Sequence, residues 1–77
     1  MVSALEDILE RLFQVPKNQI SNELGQENLE SWDSMTHLLL ITELEETYKI
    51  RLTDNEILKM KTVATIKQIL TKYGVKL

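Results

Sequence analysis

Residues 32–48 read WDSMTHLLLITELEETY, and the other elements of the chain are best interpreted relative to this segment. Asp33 directly precedes a helical pattern, so we expect it to be the N-cap of a helix that starts at Ser34. Five residues recur at helical spacing and form one stripe of that helix, which should face the core. The stripe comprises His37, Leu40, Ile41, Leu44 and Tyr48. The sequence therefore presents a serine hydroxyl at the start of an amphipathic helix.

A second face of the same helix is also rich in apolar residues. Its members are Met35, Leu38, Leu39 and Thr42. Two interpretations stay open for this face. It is exposed and binds a partner, or the preceding loop covers it with Leu24, Leu29 and Trp32. An acidic outer surface is expected from Glu43, Glu45 and Glu46.

A first helix precedes a long loop. Ser3 and Glu6 fit a capping box, and Pro16 should end this helix near Gln14 or Val15. The apolar residues of the helix are Leu5, Ile8, Leu9 and Leu12. The loop over residues 16–32 is polar, and we expect it to be ordered because three isolated apolar residues pin it. These are Ile20, Leu24 and Leu29. Loops of this length in small domains are often functional.

Two further helices are predicted in the second half of the chain. Thr53 and Glu56 fit a capping box before a short helix with Ile57, Leu58 and Met60. Thr62 is expected to cap a last helix, and Gly74 suits the position just after its end.

Ile50 and Leu52 alternate with charged residues, which fits either a very short strand or a connector, and we favour the connector. The prediction is therefore an all-α fold. It is a small four-helix bundle with a short third helix and a long loop between helices 1 and 2. Residues 1–77 should form one domain.

Composition excludes several classes of function. The chain has 77 residues, no cysteine and a single histidine. Disulfides, thiolate metal sites and cysteine nucleophiles are thereby excluded, and a histidine-based metal site is not expected. We recognise no signal peptide and no apolar run near the ~20 residues that span a bilayer. We expect a cytoplasmic protein.

The net charge of −3 is unevenly distributed. Residues 1–48 carry ten acidic and two basic side chains, whereas residues 49–77 carry two acidic and seven basic ones. Ser34 lies in the acidic half. The negative charge around it disfavours binding to nucleic acid and favours basic protein partners. The lysines of the second half are scattered and point only weakly to nucleic acid or membrane.

The order and spacing of these features resemble the free-standing acyl carrier proteins over nearly the whole chain. The matching features are Asp33-Ser34-Met35, the helical run over residues 38–44, Glu45-Glu46, Tyr48, Ile50 and Leu52, Asp54, and Thr62-Val63. The resemblance implies that Ser34 carries 4′-phosphopantetheine, donated by coenzyme A. It also implies that Asp33 helps recognition by a phosphopantetheinyl transferase. Such a carrier is not an enzyme, because it holds acyl thioesters that other enzymes process.

The same resemblance implies the partners. They are the transferase and acyl-loading and acyl-processing enzymes with basic docking surfaces, and the carrier is a monomer. The implied partner-binding residues are Met35, Leu38, Leu39, Thr42, Glu45 and Glu46. His37 is expected at the margin of the core rather than as a general base, because no nucleophile or orienting acid is placed for it. Trp32 is expected to anchor the loop, with contact to the arm as the alternative.

Departures from the family pattern indicate a specialised carrier. Met35 stands where leucine is usual, Thr36 where an acid is usual, and Leu39 where glutamate is frequent. Ser31 replaces a frequent glycine, and the second half is basic. We infer that the chain acts as a carrier in fatty-acid-like, polyketide or other specialised biosynthesis. Two alternatives stay open: an aminoacyl or peptidyl carrier loaded by an adenylating enzyme, and an unmodified helical interaction module.

Overall fold

The structure, a computed structural model, describes residues 4–75. Within this range the chain forms four α-helices: α1 (Ala4–Phe13), α2 (Ser34–Tyr48), α3 (Asp54–Lys59) and α4 (Val63–Lys72). A 3₁₀ turn (Lys17–Gln19) interrupts the long loop between α1 and α2. The predicted all-α fold with a short third helix is confirmed. The predicted N-cap of α1, Ser3, lies outside the described residues. No helix in residues 4–75 has the length and apolar character that crossing a bilayer requires.

One hydrophobic core joins α1, α2 and α4. The three helices contribute most of the buried residues, and the loop and connectors add a few more. Leu12, predicted in the apolar pattern of α1, is only half-buried, whereas Phe13 is buried. The buried residues are Leu5, Ile8, Leu9, Phe13, Trp32, Leu40, Ile41, Leu44, Leu52, Met60, Val63, Ile66 and Leu70. In the predicted stripe of α2, His37 and Tyr48 are half-buried at the margin of this core. Residues 50–53 form a connector, as expected, and not a strand.

The first helix ends at Phe13, slightly earlier than expected. Gln14 adopts a left-handed conformation with φ 57°, and its N–H donates to the carbonyl of Glu10 at 2.9 Å. A left-handed residue is a common way to close a helix. The hydroxyl of Ser31 donates to the free carbonyl of Phe13 at 2.9 Å, so the loop completes this helix end.

The two capping motifs of the second half are confirmed. Thr53 and Glu56 bond reciprocally at the start of α3, at 3.2 and 2.9 Å. Thr62 accepts from the N–H of Thr65 at the start of α4. At the other end of α4, Gly74 has φ 84° and its N–H donates to Thr71. Left-handed glycine is the residue that this type of helix end favours.

The long loop is ordered because it is bonded to the start of α4. The N–H of Val63 donates to the carbonyl of Leu24 at 2.8 Å, and the N–H of Ala64 donates to that of Asn22 at 3.1 Å. These are two of the N–H groups that a helix start leaves without a partner inside the helix. The three isolated apolar residues of the loop pack partly buried against the core, as predicted: Ile20, Leu24 and Leu29.

Gly25 allows the loop to approach the chain before α4 closely. A Cβ atom at this position would lie 2.4 Å from the carbonyl oxygen of Lys61 and 2.9 Å from Cγ2 of Thr62. The closest atom belongs to the backbone, and that oxygen also accepts from the N–H of Gln26 at 3.0 Å. The loop can therefore pack against the backbone of Lys61 only because residue 25 has no side chain.

Replacing Gly25 with alanine should lower the free energy of unfolding by about 1–3 kcal/mol, because the added methyl group forces the backbones apart. Urea denaturation followed by circular dichroism measures this. Gln26→Ala, at the neighbouring exposed position, should change stability by less than about 0.5 kcal/mol. Equal midpoints for Gly25→Ala and wild type would contradict the close approach.

Glu56 is a buried carboxylate with three donors around it. It accepts from the N–H of Thr53, the hydroxyl of Tyr73 and the ammonium of Lys72, the last at 3.2 Å. These bonds, led by that from Thr53, lower the pKa of Glu56 from 4.5 to about 2. Because the charged form is favoured in the folded state, Glu56 contributes stability above its ordinary pKa. That contribution is lost as the pH falls from 4.5 towards 2.

Glu56→Gln should therefore unfold at lower urea than wild type near neutral pH, and the difference should shrink as the pH falls through 4.5 towards 2. Urea midpoints measured across this range test the expectation. Glu46→Gln removes an exposed carboxylate and is the matched control. A stability difference between Glu56→Gln and wild type that does not depend on pH would contradict the assignment.

Candidate functional site

Ser34 is exposed and is the first residue of α2. Asp33 precedes it in an extended conformation, and its Oδ1 accepts from the N–H of Thr36 at 2.9 Å. The predicted N-cap is thus confirmed, and the serine hydroxyl faces solvent rather than the core. The N–H and hydroxyl of Thr36 lower the pKa of Asp33 below its usual 3.8, so this carboxyl is ionised at neutral pH.

Trp32, two residues before Ser34, is buried in the core. Only 2% of its surface is exposed, and its ring stacks on Phe13 with centroids 4.6 Å apart. Its Nε1–H donates to Nδ1 of His37 at 3.0 Å. The expectation that Trp32 anchors the loop is confirmed.

His37 links α2 to α3. Its Nδ1 accepts from Trp32, so the ring proton lies on Nε2, which is 2.9 Å from the carbonyl oxygen of Ile57 and donates to it. Both nitrogens are therefore occupied by structural bonds. His37 sits at the margin of the core, as expected, and its ring is not available to the serine.

A groove of ≈ 350 Å³ opens beside Ser34, between α2 and α3. Apart from the serine, it is lined by Gln26, His37, Leu38, Ile57, Leu58 and Lys61. The sequence did not place Gln26, Leu58 or Lys61 near the serine. Nothing in their local pattern could have done so, because the groove forms only when the loop and α3 pack beside α2.

The second face of α2 is open to solvent. Met35, Leu38 and Leu39 are 73%, 63% and 51% exposed, and Leu58 of α3 is 69% exposed. We call these four residues the apolar face, and they are the large exposed apolar side chains among residues 4–75. The loop residues that could have covered them pack inward instead. Thr42 is exposed at the end of the face, with its hydroxyl bonded to the carbonyl of Leu38.

The acidic residues of α2 differ in whether their carboxylates are bonded to other residues. Glu43 forms a two-bond pair with Arg11 at 3.1 and 3.0 Å, and this arginine lowers the pKa of the carboxyl. Glu45 accepts from the N–H of Leu52 at 2.9 Å and so holds the connector after α2. Glu46 is exposed. The expected acidic surface is therefore smaller than the sequence suggested, and residues 34–42 carry no carboxylate.

Comparison with known proteins places this site in a familiar fold. No family model and no curated protein matches the sequence. Among solved structures, the chain is similar to a holo acyl carrier protein from Geobacter metallireducens, determined by solution NMR. The two share 28% identity over 96% of this chain and 91% of that chain, with a TM-score of 0.72. The likeness confirms both the four-helix fold and the resemblance that the sequence shows.

Proposed function

We propose that this chain, which has the fold of the acyl carrier proteins, holds acyl groups as thioesters on a 4′-phosphopantetheine arm attached to Oγ of Ser34. The observation that carries the proposal is the exposed serine hydroxyl at the first residue of α2, directly after the capping Asp33. The chain itself has no cysteine. A thiol for thioester chemistry must therefore come from an attached group.

The residues around Ser34 fit such an arm. Its hydroxyl is accessible to a modifying enzyme, and it borders a groove with apolar walls at Leu38, Ile57 and Leu58. A phosphodiester at the start of α2 lies where the helix dipole favours negative charge. When bound, the arm supplies the thiol that forms the thioester. The protein's own residues present the arm and dock its partners.

The proposed partners are a phosphopantetheinyl transferase and enzymes that load and process the acyl group. We propose that they meet the apolar face first, because α2 carries no carboxylate from Ser34 to Thr42. Basic groups on a partner would meet Glu46, beyond that face. We expect a cytoplasmic monomer that serves fatty-acid-like, polyketide or other specialised biosynthesis.

The modification is tested by incubating the purified protein with coenzyme A and a broad-specificity phosphopantetheinyl transferase, then measuring the intact mass. We expect a gain of one phosphopantetheine group. Ser34→Ala should show no gain, whereas Ser21→Ala, which removes another exposed serine, should show the full gain. An unchanged mass for wild type, or the same gain in Ser34→Ala, would refute the proposal.

The class of cargo is tested on the modified protein. Fatty acyl, malonyl and aminoacyl donors are supplied with their loading enzymes, and thioester formation is followed by mass. We expect loading from acyl donors. Loading only from an amino acid would instead assign the chain as an aminoacyl carrier.

The exposed apolar face supports a second candidate, an unmodified interaction module. The two functions differ in their dependence on Ser34. Partner binding that needs neither coenzyme A nor the serine hydroxyl would favour the module.

A further inference from the structure

Lys61 lies at the same groove as Ser34. The two residues line one space of ≈ 350 Å³ with the apolar walls between them formed by α2 and α3. A phosphodiester on Oγ of Ser34 would lie at the edge of that space, because the serine is one of its lining residues. Among the residues that line the groove, Lys61 is the one lysine and there is no arginine.

The backbone of Lys61 is held in place from two directions. Its carbonyl accepts from the N–H of Gln26 at 3.0 Å, and its N–H donates to the carbonyl of Lys59 at 2.8 Å. The backbone of Gly25 packs closely against this carbonyl, since a Cβ atom at Gly25 would clash with it. The side chain therefore starts from a fixed point beside the groove.

The ammonium of Lys61 has no ion pair among residues 4–75. Other lysines are engaged: Lys17 with Asp7 at 2.7 Å and Lys72 with Glu56 at 3.2 Å. Lys61 is thus available to an anion that enters the groove.

Helix α2 offers a phosphodiester at Ser34 no lysine or arginine, so a side-chain cation can come only from another element. Asp33 is an anion next to the serine, and its carboxylate already accepts from the N–H of Thr36. The ring of His37 is fully used by Trp32 and Ile57. Two neighbouring anions repel each other, and a cation close to both offsets that repulsion.

We propose that Lys61 pairs with the phosphodiester of the arm and directs the arm into the groove between α2 and α3. This rests on the proposed modification of Ser34 and adds the residue that orients the attached group. Lys61 is a positioning residue, because it acts on the arm and not on the thioester. The pantetheine part would then lie against Leu38, Ile57 and Leu58.

The test compares apo and phosphopantetheinylated protein by ¹H–¹⁵N NMR. On modification of wild type we expect shifts at the amides of Ile57 and Leu58, which lie away from Ser34 in sequence but in the same groove. In Lys61→Gln these shifts should fall at least about two-fold, because the charge that holds the phosphodiester is gone. Lys61→Arg should retain them.

Lys59→Gln is the matched control, because it removes an exposed lysine of α3 that does not line the groove. It should leave the shifts unchanged. Intact mass measured on each sample separates the two proposals. Absence of the mass gain refutes the modification itself. A full mass gain with wild-type shifts in Lys61→Gln, or with no shifts at Ile57 and Leu58 in wild type, overturns the role of Lys61 alone.

Discussion

Replacing Trp32 with alanine is expected to destabilise the domain by about 3–5 kcal/mol, the range for truncating a large buried aromatic side chain. The indole is 2% exposed and stacks on Phe13 with centroids 4.6 Å apart. Its removal leaves a cavity at the place where the loop, α1 and α2 meet. A domain of this size has a small core, so the loss is comparable with its whole stability.

The polar contact of Trp32 adds to the effect. Without the indole N–H, Nδ1 of His37 loses its donor in a half-buried position, which carries its own cost. Trp32→Phe is the intermediate case, because it keeps an aromatic ring against Phe13 but loses the hydrogen bond and part of the buried volume. We expect that variant to lose about 1–3 kcal/mol.

Urea or thermal denaturation followed by far-UV circular dichroism measures both variants. Trp32→Ala should be largely unfolded or should melt far below wild type, with Trp32→Phe between them. The anchor role is wrong if Trp32→Ala melts within a few degrees of wild type.

The sequence predicted those parts of the fold that depend on neighbouring residues. Asp33 caps α2, and Thr53 and Thr62 cap α3 and α4 as their motifs indicated. Each of these bonds joins residues three apart, so the pattern that makes the bond is visible in the chain. The position of Ser34 follows from the same local rule.

The parts that were not predicted depend on contacts between distant segments. The approach of Gly25 to Lys61 and the stack of Trp32 on Phe13 require the packed loop. The same packing decided that the apolar face stays open, which the sequence left as one of two alternatives. Leu58 is a clear example, because the sequence placed it in the short third helix and only the packing of α3 decides that it is exposed.

Leu39→Glu is expected to lower kcat/KM for phosphopantetheinyl transfer about 10-fold or more while the domain stays folded. Leu39 is 51% exposed and does not line the groove at Ser34, so the change acts on docking and not on the proposed attachment site. A carboxylate placed in an apolar contact must lose its water without gaining a partner. A few side chains near the centre of an interface each contribute about 2 kcal/mol or more to binding, and an effect of this size is expected if Leu39 is one of them.

The direction of the change distinguishes two kinds of docking. Basic docking surfaces were expected from the resemblance to acyl carrier proteins, and a partner that recognises α2 through such a surface should act faster on Leu39→Glu. A partner that recognises the apolar face should act more slowly. Gln68→Glu adds the same charge at an exposed position of α4 and should leave kcat/KM within about two-fold of wild type, because a distant exposed charge is screened by salt.

Salt provides the independent measurement. Because exposed charges are screened over about 8 Å at physiological ionic strength, docking through charges weakens as salt is added. Burial of apolar surface does not weaken in this way. We therefore expect kcat/KM of wild type to change little as salt is raised, and the defect of Leu39→Glu to persist. A steep fall for wild type together with faster modification of Leu39→Glu would mean that Glu46 and the acidic first half of the chain, and not the apolar face, bring the transferase to Ser34.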